Sequence, residues 1–168
     1  PIVCSRLQSL LGFTGVYFPF TGEANVNVDA PACLIPATIA HELSHQRMVA
    51  SENEANFVGI AACLASGDPI FAYSGALQGL ILLSNALYLA DPDQWQVIVR
   101  QYFTQELSRD WTDNNAYWAA LESPVEEKAG QTYDAFLKQN DQELGMRSYG
   151  ACVDLLVAWE RTKNETNR

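Results

Sequence analysis

His41 and His45 are the only two histidines of the chain, and Glu42 directly follows the first of them, in the stretch HELSHQRMVASENEANF (41–57). Four residues apart on a helix, the two imidazoles share one face and can both reach a single tetrahedral ion. Glu42 sits one position round, near such an ion but not on it, where a carboxylate can accept a proton from water. A zinc ion lowers the pKa of the water it holds from 15.7 to about 7, so that proton can be taken at neutral pH. Two histidines and a glutamate fall into this pattern by chance on the order of once in a thousand such chains. Many such matches are ordinary surface helices, so the pentad alone leaves that alternative open.

A catalytic zinc site keeps three protein ligands and one open position. With no third histidine, the third ligand is expected to be a carboxylate, and Glu52 and Glu54 are the near candidates; no cysteine is close in sequence. Glu54 has another explanation: Ser51 followed three residues later by Glu54 reads as a capping box. Glu52 lies one turn before Asn56, so the two share a face, with Glu52 as ligand and Asn56 as the residue that orients the centre from behind. The six residues from Gln46 to Ser51 would turn the chain so that two helices meet at the ion.

Other residues could complete such a site. Arg147 or Tyr149 could stabilise a developing oxyanion; the alternatives are a surface charge and a core aromatic. Asn25, Val26 and Asn27 could form an edge strand that holds a peptide by backbone pairing. Tyr17, Phe18 and Phe20 could line a cleft, although aromatic residues beside a strand are more often core.

The elements that must position these residues are mostly helical. Pro36 opens a segment running to about Arg47, Ser51 precedes a helix that ends before Gly67, and Asp68-Pro69, Asp91-Pro92 and Ser123-Pro124 each place a capping residue before proline at the first helical position. GACVDLLVAWERT (150–162) gives a last helix. GVYFPF and ANVNV, separated by the turn-like TGE, predict one or two short strands ahead of the histidine helix.

With 168 residues, 48% hydrophobic and 18% charged, the chain is long and apolar enough for one domain with a core. Its net charge of −10 argues against nucleic acid or an anionic membrane as partner. Cys4, Cys33, Cys63 and Cys152 form no C-x-x-C pair and have apolar neighbours, which predicts buried free thiols; an oxidising compartment would allow a disulfide. No run reaches the ~18 apolar residues of a spanning helix, and ALQGLILLSNALYLA (76–90) reads as a buried core helix.

The segments FPFTGEANVNVDAP (18–31), TIAHELSHQRMVASENEANFVGIAACLASGDPIFAYSG (38–75) and YDAFLKQNDQELGMRSYGACVDLLVAW (133–159) resemble a zincin-like bacterial family catalogued as domain of unknown function 3810. The likeness covers almost the whole chain. It implies an HExxH helix followed by E-x-E-A-N-F, and a domain outside the cytoplasmic membrane, anchored through N-terminal membrane helices that this sequence does not include. The E-x-E-A-N block is also similar to the E-x-x-A-D block of membrane prenyl-protein peptidases and bacterial heat-shock membrane peptidases. There the first glutamate binds zinc, a role that would fall on Glu52. The chain departs from them in having Asn56 in place of aspartate and a shorter spacer, and from its own family in having Met48 where glycine is common.

The resulting expectation is a mainly α (α+β) zincin-like domain over residues 1–168 with a small β element. Its function would be that of a zinc metallopeptidase acting on a peptide or protein substrate. His41, His45 and Glu52 would hold the zinc and Glu42 would be the general base. The alternative is a catalytically inactive metal- or peptide-binding module with a structural or sensing role.

Overall fold

A computed structural model describes residues 4–139 and 149–166. The chain opens with a short helix α1 (Ser5–Leu10), followed by two strands, β1 (Gly15–Phe18) and β2 (Glu23–Val26). A 3-10 turn (Ala32–Leu34) leads into α2 (Ile35–Gln46), α3 (Glu52–Ala65) and α4 (Pro69–Ala90). Then come α5 (Pro92–Tyr102), α6 (Gln105–Ala119), α7 (Pro124–Gln139) and α8 (Tyr149–Thr166). The fold is mainly α, with one two-stranded antiparallel hairpin among the described residues, as the helix and turn signals predict.

The expected helix starts are capped as their residue types require. Asp68 accepts from the Ile70 N–H at 2.8 Å, Asp91 from the Gln94 N–H at 2.9 Å, and Ser123 from the Glu126 N–H at 3.2 Å. Thr104, which no signal singled out, does the same for α6 by accepting from the Leu107 N–H. Ser51 differs. It precedes α3 in an extended conformation, but its side chain makes no capping bond, so the expected capping box with Glu54 does not form.

α3, α4 and α8 enclose an apolar core of Ile60, Leu82, Cys152 and Leu156, with Phe57, Val153 and Trp159 packed on it. α2 lies along α3, and the two approach closely at Gly59. A Cβ there would stand 3.0 Å from the His41 nitrogen and 3.2 Å from its Cα, so a side chain would push α3 off the histidine helix. α4 spans 22 residues, longer than the apolar stretch within it suggests, and is long and apolar enough to cross a membrane by length and composition. Here it packs on α2, α3, α5 and α8, and its Ser74 hydroxyl accepts from the Ala37 N–H at the start of α2. All four cysteines are free. Cys63 and Cys152 are buried as expected, whereas Cys33 is half-buried and Cys4 is exposed.

The hairpin is anchored at its base by a polar knot. Asn27 is fully buried; its Nδ2 donates to Ser9 Oγ and to the Phe13 carbonyl, both at 2.9 Å, and its Oδ1 accepts from the Asp29 N–H at 3.0 Å. The Tyr117 hydroxyl, from α6, lies 2.6 Å from Asp29 Oδ2 and 2.7 Å from Ser9 Oγ. This knot ties the hairpin to α1 and α6 and fixes how it lies against α2.

Candidate metal centre

α2 and α3 bring His41, His45 and Glu52 together. The two Nε2 atoms are 3.1 Å apart, His41 Nε2 is 3.3 Å from Glu52 Oε2, and His45 Nε2 is 3.6 Å from Glu52 Oε1. These three residues are positioned to bind a metal ion, whose identity the geometry leaves open. Glu54, two positions on from Glu52, is exposed instead. The helix phase explains this, because two positions rotate a side chain by about 200°.

His45 is aimed by the turn that follows it. Its Nδ1 lies 2.8 Å from the Val49 carbonyl, which can only accept, so Nδ1 carries the proton and the Nε2 lone pair faces the cluster. The carbonyl is delivered by a Schellman turn: Val49 N–H donates to the Ser44 carbonyl and Met48 N–H to that of His45. Met48 takes the left-handed position of this turn at φ 72°, where glycine is usual. Asn56, expected to orient the centre, is half-buried one turn after Glu52, but it bonds to neither imidazole Nδ1. That of His41 is buried with no partner, and that of His45 belongs to Val49.

Glu42 is 4% exposed. Its carboxylate lies against Gly15 on β1, where a Cβ would come within 2.8 Å of its Cδ. Only glycine leaves the glutamate this place. The Tyr17 backbone N–H donates to the carboxylate, while Oε2 is buried with no partner. Burial pushes the carboxyl up to about 7, and the Glu52 charge adds to the rise; both imidazoles and the Tyr17 N–H oppose it. Burial works to lower His45, but the hydrogen bond and charge of Glu52 raise it on balance.

The strand register shows which edge of the hairpin faces this centre. Gly15 pairs with Val26, Val16 with Asn25 and Tyr17 with Ala24, and Asn27 N–H donates to the Thr14 carbonyl. Antiparallel pairs alternate between bonded and non-bonded. The backbone groups of Gly15 and Tyr17 therefore point away from β2, and the bond from Tyr17 to Glu42 lies on that side.

Of the expected substrate edge, Asn25 and Val26 lie on β2 and Asn27 directly follows it. The edge beside Glu42 belongs to β1, Asn25 and Val26 sit across the ladder from it, and the Asn27 side chain is consumed inside the knot. A glycine inside a strand pattern, Gly15, was the available signal of a close approach. Of the expected cleft aromatics, the Tyr17 ring stacks on His45 with centroids 6.4 Å apart and planes at 21°. Phe18 and Phe20 are exposed and not core. Tyr149 opens α8, its side chain outside what the structure describes, and Arg147 lies outside the described residues.

The family model described as "Protein of unknown function (DUF3810)" matches residues 1–157. No curated protein and no solved structure matches the chain.

Proposed function

The chain belongs to that family, and for it we propose a zinc-dependent metallopeptidase. The observation that carries this reading is the buried, partnerless Oε2 of Glu42, which belongs to the residue next to a metal ligand and is not itself among the three clustered ligand atoms. A purely structural centre has no use for a desolvated carboxylate beside it.

The ligand set fits zinc. A tetrahedral ion with bonds of about 2.0–2.1 Å holds its ligand atoms about 3.3 Å from one another, and the separations of 3.1, 3.3 and 3.6 Å bracket that value. Three protein ligands, the number clustered among the described residues, leave the fourth position for water or a carbonyl oxygen. When bound, zinc would supply Lewis acidity, acidifying water and polarising the scissile carbonyl.

The residues of the chain supply the rest. Glu42 takes the proton of the attacking water and passes it to the leaving amine. Gly15 and the Tyr17 N–H hold its carboxylate in place.

Metal analysis of protein purified without added zinc should find about one zinc per chain. Glu42→Gln should keep that zinc and lose about 10²–10⁴-fold in hydrolysis of a peptide library. Protein that stays metal-free after zinc dialysis, or a Glu42→Gln variant that cleaves at the wild-type rate, overturns the reading.

A further inference from the structure

The two imidazoles of the centre are held differently. His41 Nδ1 is buried with no partner, so the backbone of α2 alone sets that ring. His45 is 11% exposed in its side chain, and Val49 takes its Nδ1 proton. A hydrogen bond at one ring nitrogen fixes where that nitrogen points but leaves the imidazole free to tilt about the bond. A metal bond needs the ion in the plane of the ring, along the Nε2 lone pair, so tilt costs affinity.

The Tyr17 ring lies alongside His45, nearly parallel to it at 21°, with centroids 6.4 Å apart. That separation is within the range of offset-stacked rings. The strand alternation places it there. Side chains two apart on β1 share a face, so Tyr17 projects on the side on which Gly15 meets Glu42, and Phe18 projects on the other. The Tyr17 backbone is fastened in turn, because its N–H donates to the Glu42 carboxylate. A ring carried on an anchored backbone can resist tilt of its neighbour; one on a loose strand cannot.

We propose that Tyr17 is a positioning residue for the metal: its ring braces the imidazole of His45 so that Nε2 stays aimed at the ion. The proposal rests on the metal centre of the peptidase reading. The brace is the face of the ring and not its hydroxyl, so phenylalanine serves as well and an aliphatic residue does not.

Zinc titration against a chelating indicator tests this on the wild type, Tyr17→Phe, Tyr17→Val and Phe18→Val. Tyr17→Phe should bind zinc as the wild type does, and Tyr17→Val should bind about tenfold more weakly. Phe18→Val removes a ring from the same strand on the opposite face and should keep the wild-type affinity, which separates bracing of His45 from general loosening of the hairpin. Melts of the metal-free proteins accompany the titrations. If Tyr17→Val does not fold, Tyr17→Leu takes its place with the same loss expected. Wild-type affinity in the aliphatic variant overturns the proposal, as does an equal loss in Phe18→Val or a loss in Tyr17→Phe. If the wild type binds zinc but cuts no peptide, hydrolysis is disproved and these affinities still decide the role of Tyr17. A wild type that takes up no zinc overturns both.

Discussion

Two groups of polar side chains that the chain buries are treated in opposite ways. In the knot around Asn27, both side-chain donors and the acceptor of the asparagine are engaged, and Asp29 receives Tyr117, Ser9 and Arg6. In the metal centre, His41 Nδ1 and Glu42 Oε2 are buried with no partner, and Met48 holds a backbone conformation that disfavours side chains. The titration behaviour diverges in the same sense. The Tyr117 hydroxyl, with Ser9 and Arg6, holds Asp29 below the usual carboxylate range, whereas burial lifts Glu42 to about 7. A saturated buried network specifies a fold, and an unsaturated one is kept for something that is not part of the chain.

The comparison breaks first at the ligands. Glu52→Ala should weaken zinc binding by more than the 10–100-fold that loss of an outer partner costs, with the fold kept. Glu54→Ala, lacking the capping bond, should leave both zinc affinity and stability within about 0.5 kcal/mol of wild type. Zinc titrations and melts on the pair decide this, and the reverse pattern would mean the exposed glutamate is the ligand. In the knot the effect should be on stability alone. Asn27→Ala strips partners from Ser9 and the Phe13 carbonyl and should cost about 2–3 kcal/mol, with zinc stoichiometry unchanged in the folded protein. Chemical denaturation measures it, and a neutral result would remove the knot from the account.

Two substitutions at the centre should instead stabilise. Glu42→Gln replaces a desolvated, half-partnered carboxylate with a neutral group and should raise the stability of the metal-free protein at pH 8 by on the order of 1 kcal/mol. Lower stability in that variant would show that the carboxylate is well satisfied. Met48→Gly relieves the left-handed residue of the Schellman turn and should gain up to about 1 kcal/mol. A loss on this substitution in thermal melts would show that the methionine side chain packs on something in solution.

Much of the centre was legible because helical phase is a local property. His41 and His45 had to share a face, and Glu52 rather than Glu54 had to share one with Asn56. One step of that reading failed: Ser51 does not cap through its side chain, so Glu54 is excluded by its direction alone. What could not be read was non-local or carried by the backbone. Methionine itself does not announce positive φ, and the only sign of the turn that sets Val49 on His45 was the glycine common at that position in similar chains. The pattern of the hairpin residues shows two strands but not which edge meets Glu42. Asn27 is settled by partners far along the chain, Ser9 through a side-chain bond and Tyr117 through the serine.

The separation of partners along the chain has a kinetic side. The three candidate ligands fall between positions 41 and 52, so the centre needs only the short loop between α2 and α3 to close, whereas the bond from Tyr117 to Asp29 joins residues 88 apart. Loop closure grows costlier with length, and local contacts form sooner. The paired helices α2 and α3 are therefore expected to form, and to hold a metal, before the hairpin is fastened down. In refolding followed by pulsed hydrogen exchange, amides of α2 and α3 should gain protection before that of Asn27. In this order an ion taken up by the paired helices would be held before β1 reaches Glu42, which waits for the helix bearing Tyr117 to dock.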